Sequence, residues 1–101
     1  MAYFAVTQVH GGGWDTSLAL RDQKQWAEHA AFMNGLEDDG FVVLGGPLGD
    51  GEQVLLIFDA EDQQEIEARL NEDPWKLLDL LRIAKIEPWQ VLLDSRRPST
   101  S

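Results

Sequence analysis

Two histidines, His10 and His29, are the side chains of this chain best suited to moving protons near neutral pH. His29 is the stronger candidate. It recurs at helical spacing with Trp26, Ala30, Met33 and Leu36, which places it on an apolar stripe where burial and a carboxylate neighbour can tune it. A lone histidine on such a face is more often a core residue holding one hydrogen bond, and the pattern alone favours that reading. Asp73 precedes Pro74, the arrangement of a helix cap, yet a cap carboxylate keeps a second oxygen that can orient an imidazole. Arg82 follows a run of leucines and suits either an anionic substrate or a plain surface ion pair. Trp14, in a loop, and Trp75 suit the walls of a pocket for a flat ligand; the alternative is that they belong to the core or an interface.

Other chemistries find little support. The absence of cysteine excludes thiol nucleophiles, disulfides and Cys-ligated metals. His10, His29 and Asp15 or Asp73 have no metal-ligand spacing, so no metal is expected. Gly45-Gly-Pro-Leu-Gly-Asp-Gly51 lacks the spacing of a phosphate cradle and reads as a hairpin turn; no cofactor is expected. A net charge of −10 repels phosphate backbones and anionic lipids, which argues against nucleic acid and membrane partners. The start Met-Ala-Tyr-Phe lacks the cationic segment of a signal peptide, and a cytoplasmic location is the expectation.

The elements that must position these residues follow from periodicity. Tyr3 to Val9 is an aromatic and β-branched run that reads as a strand and stops at Gly11-Gly12-Gly13, and Trp14 to Leu20 reads as a mobile loop hinged on those glycines and able to act as a lid. A helix is expected from Arg21 to Asp39, ending near Gly40. Phe41 to Leu48 and Gln53 to Phe58 form a hairpin. Asp62 caps a second helix carrying Ile66 and Leu70, Asp73-Pro74 starts a short third from Trp75 to Leu81, and Arg82 to Leu93 is a last strand. Pro88 inside that strand argues for an edge or a bulge.

The order β-α-β-β-α-β predicts an α+β, ferredoxin-like antiparallel sheet with its helices on one face. One domain spans residues 1–94, followed by a disordered tail at 95–101. Strand two offers Phe41 and Val43 to one side and Val42 and Leu44 to the other, and strand three likewise has apolar residues on both faces. One helical layer covers one face. The other needs a partner, and a second copy of the chain is the simplest, so a homodimer is expected.

Four segments resemble the YCII-related domain family: Arg21-x-Gln23-x-x-Trp26-x-x-His29-Ala-x-Phe-Met33, Gly40-Phe-x-x-Leu-Gly-Gly-Pro-Leu48, Asp73-Pro-Trp75 and Ile86-x-Pro-Trp89. They occur in the family's order and approximate spacing, between about Tyr3 and Leu93. The resemblance implies a dimeric α+β barrel, and it implies that His29 and Asp73 match the family's proposed His–Asp active-site pair. Relatives tied to a reaction act in the breakdown of substituted aromatic rings.

Two functions follow. The first is an enzyme, of lyase or isomerase type, in which His29 moves a proton on a small-molecule ligand while Asp73 orients the ring and Trp14, Trp75 and Arg82 bind substrate. The second is a non-catalytic dimeric module that binds a small ligand or a protein. A pocket open at His29 favours the first; a His29 sealed by Met33 and Trp26 favours the second.

Overall fold

A computed structural model describes residues 2–95. The expected tail therefore lies, beyond Ser95, outside the described residues. The sheet is built from β1 (Ala2–His10), β2 (Val42–Leu48), β3 (Gln53–Ala60) and β4 (Leu81–Pro88), in the order β2-β3-β1-β4 with every neighbour antiparallel. The helices α1 (Trp26–Asp38), α2 (Gln63–Leu70) and the single turn α3 (Pro74–Leu77) complete a ferredoxin-like β-α-β-β-α-β fold, the architecture of dimeric α+β barrels. Among the described residues no helix is long and apolar enough to cross a membrane.

The period-two alternation of β1 decides which face the helices cover. Phe4 and Val6 point to one side with Leu56 and Phe58 of β3, and against them pack Leu36 of α1 and Ile66 and Leu70 of α2. Caps hold the helices in place. Asp62 accepts from the Glu65 backbone N–H while the Glu65 side chain accepts from the Glu61 N–H, and α1 ends where Gly40 adopts a left-handed φ of 77° and the Phe41 N–H reaches Leu36 O.

Three expectations shift. The first helix starts at Trp26 rather than Arg21, because Leu20–Asp22 forms a separate 3-10 turn and Gln25 is left-handed. The break lets the buried Gln23 side chain serve the preceding loop: it accepts from the Asp15 N–H and donates to the carbonyls of Asp15 and Leu18. Those bonds anchor the loop to Gln23, and two of its glycines sit against a neighbouring backbone. Gly11 and Gly13 donate to Leu80 O and Asp79 O, and a Cβ on either would collide with the backbone of Leu78 or Asp79. They are glycines because two backbones approach closely, with no positive φ involved.

The second shift is in β2, where the register slips between Val42 and Leu44. Val42 joins the helix-side core and Leu44 turns to the other face, so the two do not share a side as strict alternation implies. The third is at the C-terminal end, where α3 stops at Leu77 rather than Leu81, and β4 starts at Leu81 rather than Arg82 and ends at Pro88 instead of running to Leu93. It is an edge strand, as Pro88 requires.

Candidate active site

Asp73 and His29 meet across 44 positions of sequence. The Asp73 side chain caps α3 by accepting from the Trp75 N–H at 2.9 Å, and the His29 Nδ1 lies 2.9 and 2.8 Å from its two carboxylate oxygens. Both residues are buried, at 8% and 7% exposure, so water screens the contact weakly. The cap and the histidine contact share one carboxylate, as the free second oxygen allows.

Trp75 fixes the ring from the side. Its indole, 1% exposed, stacks on the imidazole with centroids 3.8 Å apart, and its Nε1 donates to Lys24 O at 2.7 Å. Trp26 leans on both rings at 5.8 Å. The stacked Trp75 face and the Asp73 carboxylate at Nδ1 together restrain rotation of the imidazole.

That orientation matters because a cavity of about 340 Å³ opens beside His29. His29 lines it and Asp73 does not, so Nε2 is the nitrogen left for a ligand. The walls are apolar, from Trp26, Met33, Val42, Val54, Leu56, Trp75 and Leu81, and along β2 the small residues Gly45, Gly46 and Pro47 leave the space unfilled. Polar groups border it at Gln8, Arg21, Asn34 and Glu37. The volume falls at the lower end of small-molecule sites.

Two of the expected ligand-binding residues do not line this cavity. Arg82 is chelated by Asp79, Nε to Oδ1 at 2.8 Å and Nη2 to Oδ2 at 2.6 Å, so the surface ion pair is what the chain makes of it. Asp79 takes a left-handed φ of 54° right after α3, which brings its carboxylate under Arg82, a turn that spacing does not reveal. The guanidinium holds the Asp79 carboxyl down at about 2. Trp14 stands one layer back: it stacks on His10 at 3.8 Å and meets Trp75 edge to face at 5.9 Å. Sequence reading missed Arg21 and Gln8. The strand alternation that puts Gln8 on the face of Phe4 and Val6 could have found the second, as a polar residue where the core is expected.

The model of the YCII-related domain matches residues 6–90, most of the described chain. The chain belongs to the YCII-related family. Among solved structures, this YCII-related chain is similar to the 5-chloro-2-hydroxyhydroquinone dehydrochlorinase of Burkholderia phenoliruptrix in complex with 2,5-dihydroxybenzoquinone. The two share 25% identity and a TM-score of 0.64, over 87% of this chain and 93% of that one. No curated protein matches the chain.

Proposed function

We propose that this YCII-related chain is an enzyme of lyase or isomerase type acting on a small, flat, oxygenated organic substrate, with His29 as its acid–base group and Asp73 as the residue that orients it. The observation that carries the reading is the pairing of an imidazole, bonded to Asp73 through Nδ1, with a cavity of about 340 Å³ that the same residue lines. The similarity to a dehydrochlorinase that binds a dihydroxybenzoquinone supports the substrate class.

With Nδ1–H donated to Asp73, Nε2 carries the lone pair and takes a proton from a carbon or hydroxyl of the bound molecule. The imidazolium formed faces the Asp73 carboxylate, whose charge stabilises it. In an isomerisation the proton returns to a different atom. In an elimination the electron pair of the broken bond to hydrogen becomes a π bond, the leaving group departs with its own pair, and the proton passes to solvent. Arg21, which lines the cavity, is the cation that meets an anionic substituent, whereas Arg82 is occupied by Asp79.

The test is turnover of chlorinated hydroxyhydroquinones, followed by halide release and the quinone absorbance. His29→Ala is expected to lose about 10²- to 10⁴-fold in kcat. Equal turnover by wild type and His29→Ala would remove His29 from the chemistry, and ligand binding without turnover would favour the binding module.

We also infer a homodimer packed through the face opposite the helices. Leu44, Leu48 and Trp89 are exposed there, and Trp89 borders a concavity of about 300 Å³ together with Ala5, Leu55 and Ile57. Sedimentation is expected to give twice the chain mass; a stable monomer at micromolar concentration argues against it.

A further inference from the structure

Gln8 is a buried amide with no work to do in the fold. It sits on β1 opposite Val54 on one side and Ile83 on the other, is 6% exposed, and lines the cavity with His29. The contrast with Gln23, the other buried glutamine, is direct. Gln23 uses both ends of its amide to hold a loop, whereas the Gln8 side chain has no hydrogen-bond partner among the described residues. Neither of its polar atoms is sealed off, so the amide borders open space.

Phe4 and Val6 on the same face show what the core accepts there, and an amide in their row breaks that apolar pattern. The β1–β4 ladder also slips between Thr7 and Gln8, with Thr7 opposite Lys85 and Gln8 opposite Ile83. A bulge at this point re-aims the local side chains at the cost of ladder regularity.

We propose that Gln8 is a substrate-binding residue whose amide hydrogen-bonds an oxygen substituent of a planar ring held beside His29. This rests on the reading of the cavity as a site for oxygenated rings. An amide both donates and accepts, so it holds a hydroxyl through its carbonyl oxygen and a ring carbonyl through its N–H. It therefore accepts the hydroquinone and quinone states of one ring at the same position, and it selects against rings that carry no oxygen there. The crevice of about 10 Å³ that Gln8 shares with Asp73 and Ile83 has room for about one water, which is its competitor for the amide.

The experiment compares wild type with Gln8→Met and Gln8→Leu in two measurements. One is thermal unfolding without ligand; the other is binding of 2,5-dihydroxybenzoquinone by calorimetry. An amide kept for a ligand predicts an unchanged or raised Tm in both variants together with a quinone affinity reduced about 10- to 100-fold. A lowered Tm in both variants means that Gln8 has a structural partner and overturns the proposal. Quinone affinity that survives both substitutions overturns it too, leaving the active-site reading intact. Failure of the wild type to bind the quinone removes the ring-substrate reading itself, and Gln8 with it.

Discussion

The His29 imidazole lies flat on the Trp75 indole, with ring planes 4° apart. The same indole is tied to Lys24 O through Nε1, so the face that supports the imidazole is fixed in its own plane. Trp75→Phe keeps an aromatic face and loses that hydrogen bond and part of the buried area. It is expected to cost about 1–3 kcal/mol by urea unfolding. Turnover should fall with substrate affinity little changed, since what is lost is orientation of His29. A variant with wild-type kcat would show that Asp73 alone positions the ring.

Asp73 has two roles that substitution can separate. Asparagine is about as good a helix cap as aspartate, so Asp73→Asn is expected to stay within about 0.5 kcal/mol of wild type in stability. It removes the charge facing the imidazolium, and kcat should drop on the order of 10². Asp73→Ala loses the cap as well, at about 0.5–2 kcal/mol. Equal kcat in Asp73→Asn and wild type would reduce Asp73 to a cap.

Arg21 and Arg82 offer a contrast between a cation at the cavity and one away from it. Arg21→Ala is expected to raise KM for an anionic substrate by about 10-fold, equivalent to about 1.4 kcal/mol. Arg82→Ala should leave KM alone, because its guanidinium is occupied by Asp79 and more than half exposed. The reverse result would place substrate on the other side of β4.

The Asp79–Arg82 pair gives the fold an acid-sensitive clasp on the glycine loop, since Asp79 also accepts from the Gly12 N–H. Its carboxyl titrates at about 2 when folded against an ordinary value of 3.8, mainly through the Arg82 hydrogen bonds. A depressed folded pKa means that the contribution is present above the ordinary value and is lost as pH falls through the folded one. The Tm advantage of wild type over Asp79→Asn should therefore shrink between pH 4 and about pH 2. A constant difference across that range would mean that the charge of Asp79 is not what holds the loop.

The triple glycine separates into members with different duties. Gly13→Ala drives a methyl into the Leu78 carbonyl, and backbone has to move. Gly12→Ala meets only side-chain ends, the Asp79 carboxylate at 3.4 Å and Arg82 Nη2 at 3.7 Å. The first is expected to lose at least about 1–3 kcal/mol and the second less than about 0.5 kcal/mol. Similar losses at both would restore the view of this loop as a hinge.

Much of the fold could be read in the chain because its local rules agree. Asp62 and Asp73 cap the helices they precede, Gly40 ends α1, and Pro88 sits on an edge strand. The His29–Asp73 contact was legible through family resemblance, since their spacing gives no hint of proximity. What stayed hidden depends on single backbone choices. The left-handed Gln25 and Asp79 decide that Arg21 reaches the cavity and that Arg82 turns toward Asp79. The slip in β2 that sends Leu44 across the sheet is likewise a one-residue event. Periodicity averages over such events.

The clustering of rings around His29 also settles how the protein will look to a spectrometer. Of its four tryptophans, Trp14, Trp26 and Trp75 lie together, the first and second each within 5.9 Å of the third, and Trp89 stands apart on the opposite face. Indoles this close exchange excitation, so light absorbed by any of the three is shared with the one stacked on the imidazole. Emission from the set therefore reports the state of one histidine and whatever sits beside it. A quinone, which accepts electrons from excited indoles, would darken the cluster and leave Trp89 glowing, and the emission remaining above that of Trp89 would count the empty sites.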